Sequence, residues 1–148
     1  MALLVTSCAP AVNAVPGECT RTAHTKIYSN AFLSQETGDV LGFELAIERL
    51  KNSSIDALLY VYEGVPNTDG IRISGRLSGK TLVLQGVWVE HLIEYPSKKE
   101  TVDQHRVRIE GTINPSTFRG SLTIQSFGPA IKVRLARVRH LWLCKPEK

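Results

Sequence analysis

The chain has 148 residues, 43% of them hydrophobic and 22% charged, which suits one domain with its own core and is too short for two of ordinary size. Its 18 Lys and Arg against 14 Asp and Glu give a formal charge of +4, an excess that permits anionic partners without requiring them. No run approaches the roughly 18 apolar residues that cross a bilayer as a helix, so the only membrane link expected is an anchor.

The segment from Met1 to Cys8 is apolar, and the first charged residue is Glu18. Leu4-Val5-Thr6-Ser7-Cys8 resembles a bacterial lipobox, which implies lipidation of Cys8 and an exported protein, periplasmic or at the outer membrane. Val12-Asn13-Ala14 fits a signal-peptidase site instead, which gives a secreted chain without Cys8; a leader with no export role gives a cytoplasmic one. Residues 9–17 carry Pro10 and Pro16 and read as a tether, so the expected division is 1–19 for signal remnant and tether and 20–148 for the folded domain. Cys19 and Cys144 flank that domain. In an oxidising compartment a disulfide between them would tie its ends together, for about 4 kcal/mol in the chain-entropy model.

The body alternates. Lys26 to Leu33 suits a first strand or a short helix, and Phe43, Leu45 and Ile47 alternate with Glu44 and Glu48, whose outward spacing suggests a solvated face, in a second strand from Leu41 to Leu50. Lys51-Asn52-Ser53-Ser54 turns the chain and contains the glycosylation pattern Asn52-Ser53-Ser54. Ile55 to Glu63 is more continuously apolar, and a loop rich in turn formers follows to Gly70. Ile71 to Leu77 then alternates, and a Ser78-Gly79 hairpin loop would set Ile73 opposite Leu84 and Gly75 opposite Leu82. The next strand runs through Trp88 to Tyr95, before a charged loop over residues 96–103.

The clearest hairpin lies between Val107 and Ile124. With Pro115-Ser116 as its loop, Ile113 faces Phe118, Gly111 faces Gly120, Ile109 faces Leu122 and Val107 faces Ile124, while Arg106, Arg108, Glu110, Arg119 and Thr123 point to water. A turn at Ser126 to Pro129 leads into a last strand from Ile131 to Leu143. There Val133 and Leu135 share one face and Ala136 and Val138 the other, a phase change that predicts a bulge near Leu135-Ala136.

Seven or eight short strands joined by hairpins predict an all-β domain, a single antiparallel up-and-down β-barrel, or a β-sandwich if the sheet does not close. The architecture is similar in outline to lipocalin-like and avidin-like barrels in strand count and hairpin order, although the Gly-x-Trp signature of lipocalins is absent. Gly86, Gly111 and Gly120 suggest a row of bare positions where the sheet coils, with Trp88 beside it.

Two candidate sites follow. Phe43, Ile73, Leu84, Trp88, Ile109 and Leu122 would line an interior cavity for a small apolar ligand; if they instead fill the core, a macromolecular partner on the surface is favoured. Arg106, Arg108, Arg119, Lys132, Arg134, Arg137 and Arg139 offer a basic surface for anionic lipid, glycan or nucleic acid, or else a solvated face with Glu90 and Glu110 as cross-strand partners. Phe118 and Phe127, expected inside and in a turn, do not supply the interleaved aromatics that favour nucleic acid. His24, His91, His105 and His140 have no metal-ligand spacing, although His91 and His105 could become diagonal neighbours. No nucleophile elbow or phosphate-cradling loop appears, so the expected function is non-catalytic binding, without cofactor or metal, by an envelope protein. An enzyme would need a pocket of converging polar groups that spacing does not reveal.

Overall fold

The computed structural model describes residues 26–64 and 69–144. The strands are β1 (Lys26–Ser29), β2 (Phe32–Leu33), β3 (Val40–Lys51), β4 (Ser54–Gly64), β5 (Ile71–Ser78), β6 (Thr81–Glu94), β7 (Lys99–Ile113), β8 (Thr117–Ile124) and β9 (Ile131–Val138), followed by a 3-10 turn at Trp142–Cys144. Each strand from β3 to β9 pairs antiparallel with the next. β1 closes the sheet, pairing with β3 through Tyr28 and Leu45 and with β9 through Tyr28 and Arg137. The result is a closed, antiparallel, up-and-down barrel of eight strands, with the two-residue β2 added beside β3. An even number of strands lets a meander close antiparallel on itself, which removes the exposed edges of an open sheet.

The interior follows the alternation. Tyr28, Leu45, Ile55, Leu59, Ile73, Leu82, Leu84, Ile109, Phe118, Leu122 and Leu135 are buried in one cluster inside the wall. The β7–β8 register is the expected one, from Val107 opposite Ile124 to Ile113 opposite Phe118. Its Gly111 and Gly120 are opposite each other, and a Cβ on Gly111 would lie 2.2 Å from the Arg119 carbonyl oxygen. The two strands approach more closely there than any side chain would allow.

Several expectations are corrected. The β5–β6 loop is Gly79-Lys80 and not Ser78-Gly79, so Ile73 lies opposite Gly86 and Gly75 opposite Leu84. A one-residue move of the turn shifts the register by two and preserves the faces. Gly86 therefore sits between Ile73 and Val107, and the row of three glycines does not form. The pairing of β9 shows no shift at Leu135-Ala136; among the described strands the register shifts between Ile47 and Arg49, in the β3–β4 pair. The last strand ends at Val138.

The outer face of β9 carries Lys132 and Arg134 and then turns apolar at Ala136 and Val138, and for Val138 there is another reason than a bulge. Outside the barrel a second cluster joins Ile27, Val40, Ala46, Leu58, Tyr60 and Tyr62 with Leu141 from the C-terminal segment, and Val138, Trp142 and Cys144 pack against it. The same cover explains why β4 is almost continuously apolar: Ala57 and Leu59 face inward, while Leu58 and Tyr60 face this outer layer. It also buries Glu44, expected in water, whose carboxylate accepts from the Tyr62 hydroxyl at 2.6 Å and from the Trp142 backbone N–H at 2.9 Å.

Candidate functional site

The six interior candidates come together without forming an opening. Ile73, Leu84, Ile109 and Leu122 are buried in the inner cluster, and Phe43 and Trp88 are half-buried against it. Trp88 lies at one end of the barrel, stacked on Phe127 with ring centres 5.2 Å apart, and His105 meets both rings. Of the six, only Trp88 lines a cavity among the described residues, a cleft of about 440 Å³ shared with Arg72 and Glu90, and the other cavities open elsewhere. One, of about 210 Å³, lies at the opposite mouth, where Ile47, Ile55, Leu77 and Ile113 form its wall and Lys26 and Glu48 its rim.

The hairpin of β6 and β7 is longer than the barrel. β5 pairs with β6 only as far as Gly86, and β8 pairs with β7 only from Val107 onward. Beyond those points, Val87 to Glu94 and Lys99 to Arg106 pair only with each other among the described strands, as a two-stranded ribbon. The charged loop expected over residues 96–103 is thus mostly strand, since β7 starts at Lys99. With both faces outside the core, Lys99 to Gln104 had no need of an apolar alternation, and Val102 is the lone aliphatic side chain of β7 before Val107.

Register assigns every side chain of this sheet to a face. The ribbon's inner side carries Trp88 opposite His105 and Glu90 opposite Asp103, and Glu90 Oε2 lies 3.3 Å from His105 Nε2. Glu90 is therefore no partner for the outer arginines. His91 lies opposite Val102 on the outer side, so the two histidines occupy opposite faces and are not neighbours. No cluster of three or more metal-ligating side chains forms among the described residues.

The outer side is continuous from ribbon to barrel wall. Val87 stands opposite Arg106, Gln85 opposite Arg108, and Val83 opposite Glu110, while β8 and β9 continue the face with Arg119 beside Arg134 and Ser121 beside Lys132. Five of the seven predicted basic residues, Arg106, Arg108, Arg119, Lys132 and Arg134, thus share one face. The structure does not bring the other two to it: Arg137 lies over the Tyr28 ring at 5.6 Å, and Arg139 follows the last residue of β9.

Arg108 donates twice to Glu110, at 2.6 and 2.8 Å. Arg106, Arg119, Lys132 and Arg134 form no ion pair with a carboxylate among the described residues. Three of them, with the hydroxyl residues Thr81, Thr112 and Ser121, line a shallow depression of about 710 Å³ above the Gly111–Gly120 contact. The alternation of charges predicted these cations; their shared depression depends on the glycine pinch, which a linear pattern does not display.

No protein-family model matches the chain, and no similar curated protein or solved structure was found. The class defined by fold and site is an all-β barrel with a packed interior and a basic outer wall.

Proposed function

We propose that the protein is a non-catalytic binding module that takes an anionic macromolecular partner on the outer face of β6 to β9. The observation that carries this reading is the grouping of Arg106, Arg119, Lys132 and Arg134 on one face without carboxylate partners among the described residues. Cations held near one another repel, and an anion that spans them relieves this while gaining charge-assisted hydrogen bonds. The packing of Ile73, Leu84, Ile109 and Leu122 in the core further favours a surface partner over an interior ligand.

The test is binding of a soluble polyanion, dextran sulfate, across a salt titration. Binding should weaken steeply with salt and fall about ten-fold or more in Arg119→Glu with Arg134→Glu, because charge reversal replaces attraction with repulsion. Unchanged affinity in that variant would defeat the reading.

A second reading rests on the cleft between Lys26, Tyr28 and Ile113: a small apolar ligand with a polar head, smaller than most drug-sized ligands. Leu77→Trp should abolish its uptake of a fluorescent fatty acid.

Export belongs to the same proposal. Cys8 and Cys19 lie outside the described residues. The bonded state of Cys144, and its packing against the cluster that contains Ile27 of the first strand, support a Cys19 to Cys144 disulfide and an oxidising compartment. A mass shift of the intact chain on reduction and alkylation checks it.

A further inference from the structure

The ribbon adds something that an anionic partner alone does not use. On the same face as the cations, Val87, Val89, Ile93 and Val102 are 49%, 44%, 57% and 51% exposed. The register makes them one stripe, since Val87 precedes Val89 on the face and His91, opposite Val102, separates Val89 from Ile93. At the ribbon's tip, Tyr95 is 80% exposed and the turn continues into Lys98 and Lys99. The carboxylates on this face are already engaged: Glu110 by Arg108, and Glu100 by His91 at 2.8 Å.

We infer that this face docks on an anionic lipid bilayer, with the aliphatic stripe and Tyr95 entering the headgroup region and Arg106, Arg119, Lys132 and Arg134 meeting lipid phosphates. The inference rests on the basic-face reading and names its partner. Three alternatives fit less well. A soluble sulfated glycan would use the cations and leave the valines and Ile93 in water. A nucleic acid needs aromatic rings to stack its bases, whereas this face offers β-branched aliphatic side chains and both nearby phenylalanines are spoken for, Phe118 in the core and Phe127 against Trp88. A second copy docked face to face would set cations against cations. Only a bilayer joins a dense anionic layer to an apolar one, and an aliphatic stripe flanked by Tyr and Lys suits that boundary.

The experiment uses the full chain without acylation, so that an anchor does not mask the face. Its probes are co-sedimentation with zwitterionic vesicles, co-sedimentation with vesicles containing anionic lipid, and binding of soluble dextran sulfate. The chain should sediment with the anionic vesicles and stay in solution with the zwitterionic ones. Val89→Ser, Ile93→Ser and Val102→Ser combined should lower vesicle binding about ten-fold and leave dextran sulfate binding unchanged, because these side chains serve only the apolar layer. All three side chains are exposed, so their loss leaves the core intact, and circular dichroism of the variant checks its folding. If dextran sulfate binds and vesicles do not, or if the serine variant binds vesicles as the parent does, the bilayer inference falls and the basic-face reading stands. If neither probe binds, both fall.

Discussion

The Tyr62 hydroxyl donates to the Glu44 carboxylate at 2.6 Å on the outer side of the barrel wall, beneath the C-terminal segment. The Trp142 backbone N–H donates to the same carboxylate, at 2.9 Å to one oxygen and 3.1 Å to the other. Glu44 thereby links β3, β4 and the 3-10 turn that follows β9, and it fixes the residues that close the second cluster over the wall.

Glu44→Ala removes an acceptor that two donors share in a buried place. The expected loss is about 3 kcal/mol, since hydrogen bonds to a buried carboxylate are worth more than neutral ones. Glu44→Gln keeps one acceptor oxygen and should lose less. Urea unfolding of the three proteins measures this. Tyr62→Phe with Glu44→Ala should be less than additive, as groups in one network are; full additivity would mean that the bond contributes nothing.

Gly111→Ala should be among the most damaging substitutions of the barrel wall. The added methyl would lie 2.2 Å from the Arg119 carbonyl oxygen and 2.6 Å from the Gly120 Cα, both of them backbone atoms that cannot rotate away. Strands β7 and β8 would have to part, at about 3 kcal/mol or more. Gly79→Asn is the comparison: nothing lies within 4 Å of a Cβ there, and asparagine tolerates its φ of 59°. It should cost about 1 kcal/mol or less, and thermal unfolding of the parent and the two variants measures both effects.

How far the sequence reveals this protein differs from one element to the next. The β7–β8 hairpin was legible because Ile109, Leu122, Ile113 and Phe118 alternate strictly and one face is buried. The β5–β6 register was not, because Ser78, Gly79 and Lys80 allow two hairpin loops that keep the same residues inside. Glu44 was misplaced in water since alternation identifies the outer face of β3 and says nothing of what covers it; Leu141 and Trp142, far along the chain, do so. The cations of the candidate face were identified, and the ribbon that extends it was missed, because a segment with both faces outside the core leaves no periodic trace in Lys99 to Asp103.

The β3–β4 turn holds a residue that its conformation does not favour. Asn52 and Ser53 both have positive φ, 50° and 69°, as a two-residue hairpin loop with the twist of its strands requires. Asparagine accepts this region readily, whereas serine is strained there. Ser53→Gly, giving Asn-Gly, should stabilise the barrel by about 1 kcal/mol, and the backbone bond from Leu77 N–H to the Ser53 carbonyl at 2.9 Å would be kept. An unchanged or lower melting temperature would show that strain at this turn is negligible.

His105 offers the opposite case, a polar group whose removal should help. Its ring meets Trp88 at 5.7 Å and Phe127 at 5.2 Å, Nε2 lies 3.3 Å from Glu90 Oε2, and the buried Nδ1 has no hydrogen-bond partner. His105→Phe retains a ring between Trp88 and Phe127 and removes the unsatisfied nitrogen. Half-exposed Glu90 can turn to water, so its loss of a partner weighs little. The variant should unfold about 1 kcal/mol later than the parent, whereas His105→Ala, which opens a gap between the two rings, should unfold earlier. Tryptophan fluorescence follows both through Trp88. A destabilised phenylalanine variant would show that the contact with Glu90 outweighs the buried nitrogen.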